Sequence, residues 1–253
     1  LILLFSIPLL IGNVFQQFYS MVDTIIVGRF VGVDALAAVG STGSMVFLVN
    51  GFATGLTSGF AVLVSQKFGA KDEKGLRKAT ASAITLTVIS VIVATIVSLL
   101  GAKPLLKLMN TPENIMGDAY IYVKIIYGGI IATVAYNFIA SILRALGDSK
   151  TPLYFLIVSS VLNIILDLVF IINFKMGVAG AAYATIISQG VSAILCLIYT
   201  YKRFTILRLK KEDFNVKRRY YHKHLKIGIP MALQFSITSI GIMTVQGALN
   251  VFG

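Results

Sequence analysis

One cysteine, Cys196, stands in 253 residues, which excludes an intrachain disulfide and a cysteine-built metal cluster and leaves the thiol a small packing residue. Charge is scarce too: Asp, Glu, Lys and Arg make up 13% of the chain against 57% hydrophobic residues. With a mean hydropathy of +0.87, that balance lies outside the soluble globular range. No Gly-rich nucleotide loop, zinc-spaced His pair or serine-nucleophile motif occurs, so the chain is not read as an enzyme. His222 and His224 lack a Cys or carboxylate at ligand spacing and are read as solvated. Segments of about ten alternating apolar and polar residues are missing, which argues against a transmembrane barrel. The chain opens at Leu1 without Met or a basic leader. The first apolar run is therefore expected to be a membrane helix rather than a cleaved signal, with the natural N-terminus upstream.

What is present is a series of apolar runs long enough for a hydrocarbon core of about 30 Å, which takes about 20 helical residues. Seven spans are predicted, at 1–27, 35–66, 79–102, 119–143, 151–174, 176–201 and 227–253. Acids interrupt only the first, at Asp23, and the fifth, at Asp167, while Lys124 falls near the start of the fourth. The formal net charge is +12, and its distribution follows topology rather than a nucleic-acid surface. The connections at 67–78, 142–152 and 201–226 carry 5, 2 and 10 Lys or Arg, and the alternate connections hold only Arg29, Lys103, Lys107 and Lys175. Basic excess marks cytoplasmic loops, so the N-terminus and the 201–226 connection are expected inside a plasma (inner) membrane.

That connection, with Lys210-Lys211 and Lys217-Arg218-Arg219, divides the chain into a six-helix lobe at 1–200, a basic linker at 201–226 and one further helix at 227–253. Phe204, Ile206, Leu207, Leu209 and Phe214 within it also allow a helix lying on an anionic leaflet. Shifted by 222 residues, Ile229-Pro230 aligns with Ile7-Pro8, Leu225 with Leu3, Met243 with Met21 and Phe252 with Phe30. Six spans separate the copies, so both enter the membrane in the same direction, as in parallel transporter repeats. The expected fold is an all-α polytopic membrane protein, one complete six-helix lobe plus the first helix of a second, parallel-repeat lobe. The chain is thus expected to be a fragment. Gly51, Gly55 and Gly59 form a Gly-x-x-x-Gly-x-x-x-Gly stripe suited to close helix packing, and Pro8 is a candidate bend in the first span.

An ionisable group inside a bilayer costs roughly 2.5 to 3.5 kcal/mol on insertion scales, so Asp23 and Asp167 are the first functional candidates. Asn163 and Asp167 are four residues apart and share a helix face. Gln16, Tyr19 and Asp23 continue one polar stripe at i, i+3 and i+7. With a rise of 1.5 Å per residue, Asp167 and Thr185 fall near the same depth, whereas Asn137 falls lower. Such a group can hold a proton or a cation. The two acids do not fit an intramembrane aspartyl protease, because Ala145 replaces the first glycine of Gly-x-Gly-Asp, and Asp148 precedes Pro152 in a charged loop.

Together these residues resemble a known family. The segments Ile7-Pro8 through Tyr19-Ser20-Met21-Val22-Asp23-Thr24, Arg144 to Pro152, Asn163-Ile164-Ile165-Leu166-Asp167, and Gly177-Val178-Ala179-Gly180-Ala181-Ala182 leading to Thr185 are similar to those of the multidrug and toxic compound extrusion (MATE) transporters. The resemblance implies two six-helix lobes around a cavity that opens alternately to either side. It further implies export of organic, commonly cationic and amphipathic compounds in exchange for H⁺ or Na⁺. The implied cation- or proton-coupling cluster is Asp23, Asn163, Asp167 and Thr185, with Gln16, Tyr19 and Asn137 as supporting polar residues and Pro8 at the helix bend. The position aligned with Asp23 in the seventh span is Val245, so coupling through the first lobe, as in the DinF-like branch, is expected. No cofactor beyond the transported ion is implied; the partners are organic substrates, the cation and the bilayer, not nucleic acid, and the full-length protein is expected to be a monomer. The rival readings are a flippase for lipid-linked sugars and a non-transporting membrane scaffold.

Overall fold

The computed structural model describes residues 2–250, with side chains from Ser6 onward. These residues form helices α1 (Ile2–Phe30), α2 (Val33–Gly69), α3 (Glu73–Leu108), α4 (Glu113–Gly128), α5 (Ile130–Ala145), α6 (Lys150–Asp167), α7 (Gly177–Arg203) and α8 (Arg218–Leu249), and contain no strand. Five of them, α2, α3, α6 with its extension to Asn173, α7 and α8, are long and apolar enough to cross a membrane. The pair α4 and α5, bent by 47°, makes a sixth such span. Helix α1, 29 residues long, covers the first predicted span from Ile2 onward and continues through Pro8 without a break.

Local chemistry sets the joints. Asp72 starts α3 by accepting from the Gly75 N–H at 2.8 Å and pairs with Lys67 at 2.7 Å, so the α2–α3 turn is both capped and charge-matched. The fourth predicted span is broken at Gly129, where a Cβ would overlap the Ile186 side chain of α7. A glycine there lets α7 approach the bend. After Asp167 the α6 backbone widens into one π-helical turn, Leu168–Asn173.

Much of α3 faces outward with apolar side chains, among them Ile89, Ile92, Val93, Ile96 and Val97. In a membrane helix this is the lipid face, and association rests on close packing instead of on apolar burial from water. The glycine stripe of α2 does that packing. A Cβ on Gly55 would sit 2.6 Å from the Ala232 Cα, and one on Gly59 would overlap the Gly228 backbone. The two helices therefore meet backbone to backbone along Gly55, Gly59, Gly228 and Ala232.

This seam explains two departures from the sequence reading. Helix α8 begins at Arg218, not near Ile227, so the non-helical connection shrinks to 204–217. His224 is fully buried, not solvated. The seam carries that turn of α8 against α2 and α3, where His224 Nε2 lies 3.0 Å from Ser82 Oγ and the ring stands edge-on to Phe60 at 5.7 Å. His222 is exposed, as expected. The connection forms two short 3-10 turns in place of an amphipathic helix. It is held down by Phe204, Ile206 and Leu207 packing on the core and by Asp213, which is buried beside Arg77 at 3.6 Å.

Candidate functional site

Three helices bring the predicted acids together. Asn163 and Asp167, on one face of α6, are both fully buried. The Asn163 side-chain amide is oriented by its neighbours: its nitrogen donates to Asp167 Oδ2 at 3.2 Å and its oxygen accepts from the Thr185 backbone N–H of α7 at 3.3 Å. Asp23 of α1, 7% exposed, brings its carboxyl within hydrogen-bonding reach of Asp167. Tyr19 lies one turn before Asp23 and neighbours both acids and Thr185. The depth match of Asp167 with Thr185 and the helical spacing of Asn163 thus agree with one cluster.

Backbone irregularity surrounds it. The π turn starts at the residue after Asp167, and such turns occur frequently at functional positions. Gly180 lets α7 pack against this turn, since a Cβ there would lie 3.1 Å from Phe170 and 3.2 Å from Ile171. Ile26 and Val27, on the next turn of α1 after Asp23, belong to a buried apolar cluster with Met45, Ile171 and Val178. Tyr122 of α4 is buried in the same cluster and lies near enough to Asp23, Tyr19 and Asp167 to feel their charges. Sequence reading did not single it out, because a tyrosine in an apolar helix carries no signal beyond packing.

Polar satisfaction is incomplete at the centre. Asp23 Oδ1 and Asp167 Oδ1 are buried without a hydrogen-bond partner among the described residues, and Thr185 Oγ1 has only the Tyr19 hydroxyl beside it. Such atoms cost about 1 to 3 kcal/mol each unless a donor or a cation serves them. Two carboxyls in contact also repel when both are ionised, which a shared proton or a cation between them removes. The oxygen-only set suits a hard ion or a proton. Among the described residues no three His, Cys, Asp or Glu side chains gather at metal-binding distance.

The remaining predicted residues sit elsewhere. Pro8, Gln16 and Asn137 line a separate cavity of about 170 Å³ between α1, α2, α5, α6 and α7. Its wall includes three residues not foreseen: Tyr136, whose hydroxyl donates to the Pro152 carbonyl at 2.7 Å, Arg144 and Gln189. Asn137 donates to Thr54 Oγ1 at 3.4 Å in the same wall.

Comparison with known proteins bears on this arrangement. The MatE family model matches residues 8–169, which include Asp23, Asn163 and Asp167. The chain belongs to the MATE family. It is 36% identical to the Probable multidrug resistance protein YpnP of Bacillus subtilis, over all of this chain and 56% of that protein. A solved MATE family transporter described as a multidrug resistance protein in an inward-facing conformation superposes with a TM-score of 0.85 at 28% identity, covering 94% of this chain and 56% of that one. One described as outward-facing gives 0.87 at 30%, covering 94% and 52%. This MATE chain thus spans about half the length of the relatives it matches.

Proposed function

We propose that this chain is the first lobe, with the leading helix of the second, of a secondary antiporter that exports organic, cationic and amphipathic compounds in exchange for H⁺ or Na⁺. The observation that carries the reading is the buried contact of Asp23 with Asp167, tied to α7 through Asn163. With both carboxyls ionised, charges roughly 4 Å apart repel by about 4 kcal/mol at an effective dielectric of 20. Ion or proton binding removes that repulsion and draws α1 to α6, so occupancy of the site sets the packing of α1. The near-equal fit of this half to an inward-facing and an outward-facing relative supports alternating access by movement between lobes. The basic excess of the alternate connections supports a cytoplasmic N-terminus and a cytoplasmic 201–226 connection at the plasma membrane. Moving one charge across 100 mV supplies about 2.3 kcal/mol, enough for a substrate gradient of roughly fiftyfold.

A scaffold gains nothing from two buried carboxyls in contact, which repel when both are ionised. A site for anionic lipid-linked sugars calls for several basic groups, and the cavity holds one, Arg144. The experiment is dye export by the full-length protein in vesicles. Asp167→Asn and Asp23→Asn are expected to abolish export driven by a pH or Na⁺ gradient while the protein stays folded in the membrane. Wild-type export by Asp167→Asn would overturn the antiport reading.

A further inference from the structure

Helices α3 and α8 touch near both ends and part between them. At one end His224 Nε2 lies 3.0 Å from Ser82 Oγ and 3.1 Å from the Ala79 carbonyl oxygen. At the other, the Asn250 side-chain amide donates to the Met109 carbonyl at 3.0 Å. The gap is a groove of about 860 Å³, floored by Phe52 and Leu56 of α2 and walled by Ile89 and Val93 of α3 and Leu225 and Ile229 of α8. Among the described residues no Asp, Glu, His, Lys or Arg lines it. Three of its four side-chain hydroxyls, on Ser98, Tyr127 and Ser236, already donate to backbone carbonyls. A polar ligand therefore finds little to bind there, and the occupant is apolar.

Shape narrows the choice. The α3 wall runs from Ile89 to Leu105, about 24 Å at 1.5 Å per residue, which spreads the volume over a cross-section of about 36 Å². A helix about 10 Å across needs roughly 80 Å². A hydrocarbon chain is narrow enough. The α8 wall, from Leu225 to Ser236, is about 17 Å long, close to the roughly 15 Å depth of one leaflet. Ile89, Val93 and Val97 belong to the exposed apolar face of α3, so the groove opens toward acyl chains. Charge marks one end of it. The α8 face of Leu225 continues toward the helix start through His222 and Arg218, three and seven residues back, and Lys226 flanks it. All three are exposed. Helix α8 contains no Asp or Glu, and neither Arg218 nor Lys226 has a carboxylate within ion-pair distance among the described residues.

We infer that this groove is a binding site for one anionic phospholipid, with an acyl chain lying between α3 and α8 over α2 and the phosphate resting on Arg218 and Lys226. The lipid comes from the leaflet on the side of the basic connections, where anionic headgroups and juxtamembrane cations attract each other. Its chain fills the space beside the Gly55 and Gly228 contact and braces α8 against α3.

The test uses the full-length protein, incubated with mixed micelles of phosphatidylglycerol and phosphatidylcholine and then washed in detergent, with retained lipid counted by mass spectrometry. Wild type is expected to retain phosphatidylglycerol in preference to phosphatidylcholine. Gly101→Leu and Ala94→Phe each put a side chain into the groove, and a Cβ on Gly101 meets only Leu105 Cδ1, at 3.8 Å, so the fold admits it. Both variants are expected to lose about one phospholipid per chain while their unfolding temperatures in lipid-free micelles stay at or above wild type. Arg218→Gln combined with Lys226→Gln leaves the groove open and is expected to weaken the preference for phosphatidylglycerol about tenfold or more, the effect of two basic groups beside an anionic surface. Phosphatidylglycerol is expected to raise the wild-type unfolding temperature, and inorganic phosphate to leave it unchanged. Undiminished retention in both groove variants overturns the site. Equal retention of the two lipids by wild type, or stabilisation by inorganic phosphate equal to that by phosphatidylglycerol, overturns the assignment to an anionic lipid.

Discussion

The three glycines of the α2 stripe are equivalent as a motif and unequal in the fold, so alanine at each makes a graded test. At Gly51 the nearest atom to an added Cβ is the Phe235 Cβ at 3.4 Å, an ordinary contact. Alanine there brings its better helix propensity, worth about 0.5 to 1 kcal/mol, and is expected to be neutral or slightly stabilising. At Gly55 the added atom lies 2.6 Å from the Ala232 Cα and 2.7 Å from the Met231 carbonyl oxygen. Both are backbone atoms on a helix that cannot yield locally, so α2 and α8 must separate by roughly 1 Å to regain contact near 3.5 to 4 Å. Overpacking of this kind costs about 1 to 3 kcal/mol, and Gly59, opposed by the Gly228 backbone, falls at the upper end. Thermal unfolding of the full-length protein in micelles reads the series. Gly55→Ala and Gly59→Ala are expected to lower the melting temperature by several degrees, taking about 2 to 4 °C per kcal/mol for a domain of this size. Equal loss at all three positions, or the greatest loss at Gly51, would falsify the backbone-contact geometry.

Other expectations concern the cluster and the joints. Asn163→Ala removes the donor to Asp167 Oδ2 and the acceptor of the Thr185 N–H; apparent cation affinity in gradient-driven export should fall by about tenfold, from the 1 to 3 kcal/mol cost of an unpaired buried group. His224→Leu removes the ring's contacts with the Ala79 carbonyl at 3.1 Å and Ser82 Oγ at 3.0 Å, while Ser82 keeps its bonds to the Lys78 and Ala79 carbonyls, so the unfolding temperature should fall by the equivalent of about 1 kcal/mol, and no change would refute the hydrogen-bonding role. The Lys67 ammonium, and then the Gly75 N–H, hold the Asp72 carboxyl below its ordinary 3.8. With the folded value below the unfolded one, this cap contributes fully above the ordinary value and is lost as pH falls through the depressed one. Amide exchange at Gly75, corrected for the intrinsic pH dependence, should therefore lose protection only at pH below that ordinary value, and Asp72→Ala should lose it at every pH.

The core of the site was legible because an acid in apolar sequence is expensive, and because helical spacing and depth place Asp167 with Asn163 and Thr185. Contact of Asp23 with Asp167 follows from neither spacing nor depth alone; it needs α1 laid against α6. Gln189 and Arg144 were passed over because one is uncharged in a polar-tolerant helix and the other reads as a loop residue. The bend at Gly129 had a signal in the adjacent Gly128, yet the uninterrupted apolar run across it has the composition of one straight helix. The burial of His224 was hidden because hydropathy marks the edge of a membrane span, and α8 extends for more than two turns beyond that edge.

The seam between α2 and α8 bears on how the molecule can be divided. A chain shortened to end after α7 would leave Gly51, Gly55 and Gly59 without their opposing backbone, presenting a shallow furrow of bare peptide groups to lipid. Such a six-helix piece is expected to recruit a second copy or detergent into that furrow. A piece that keeps this seam closed is therefore expected to need α8 as well as the helices before it.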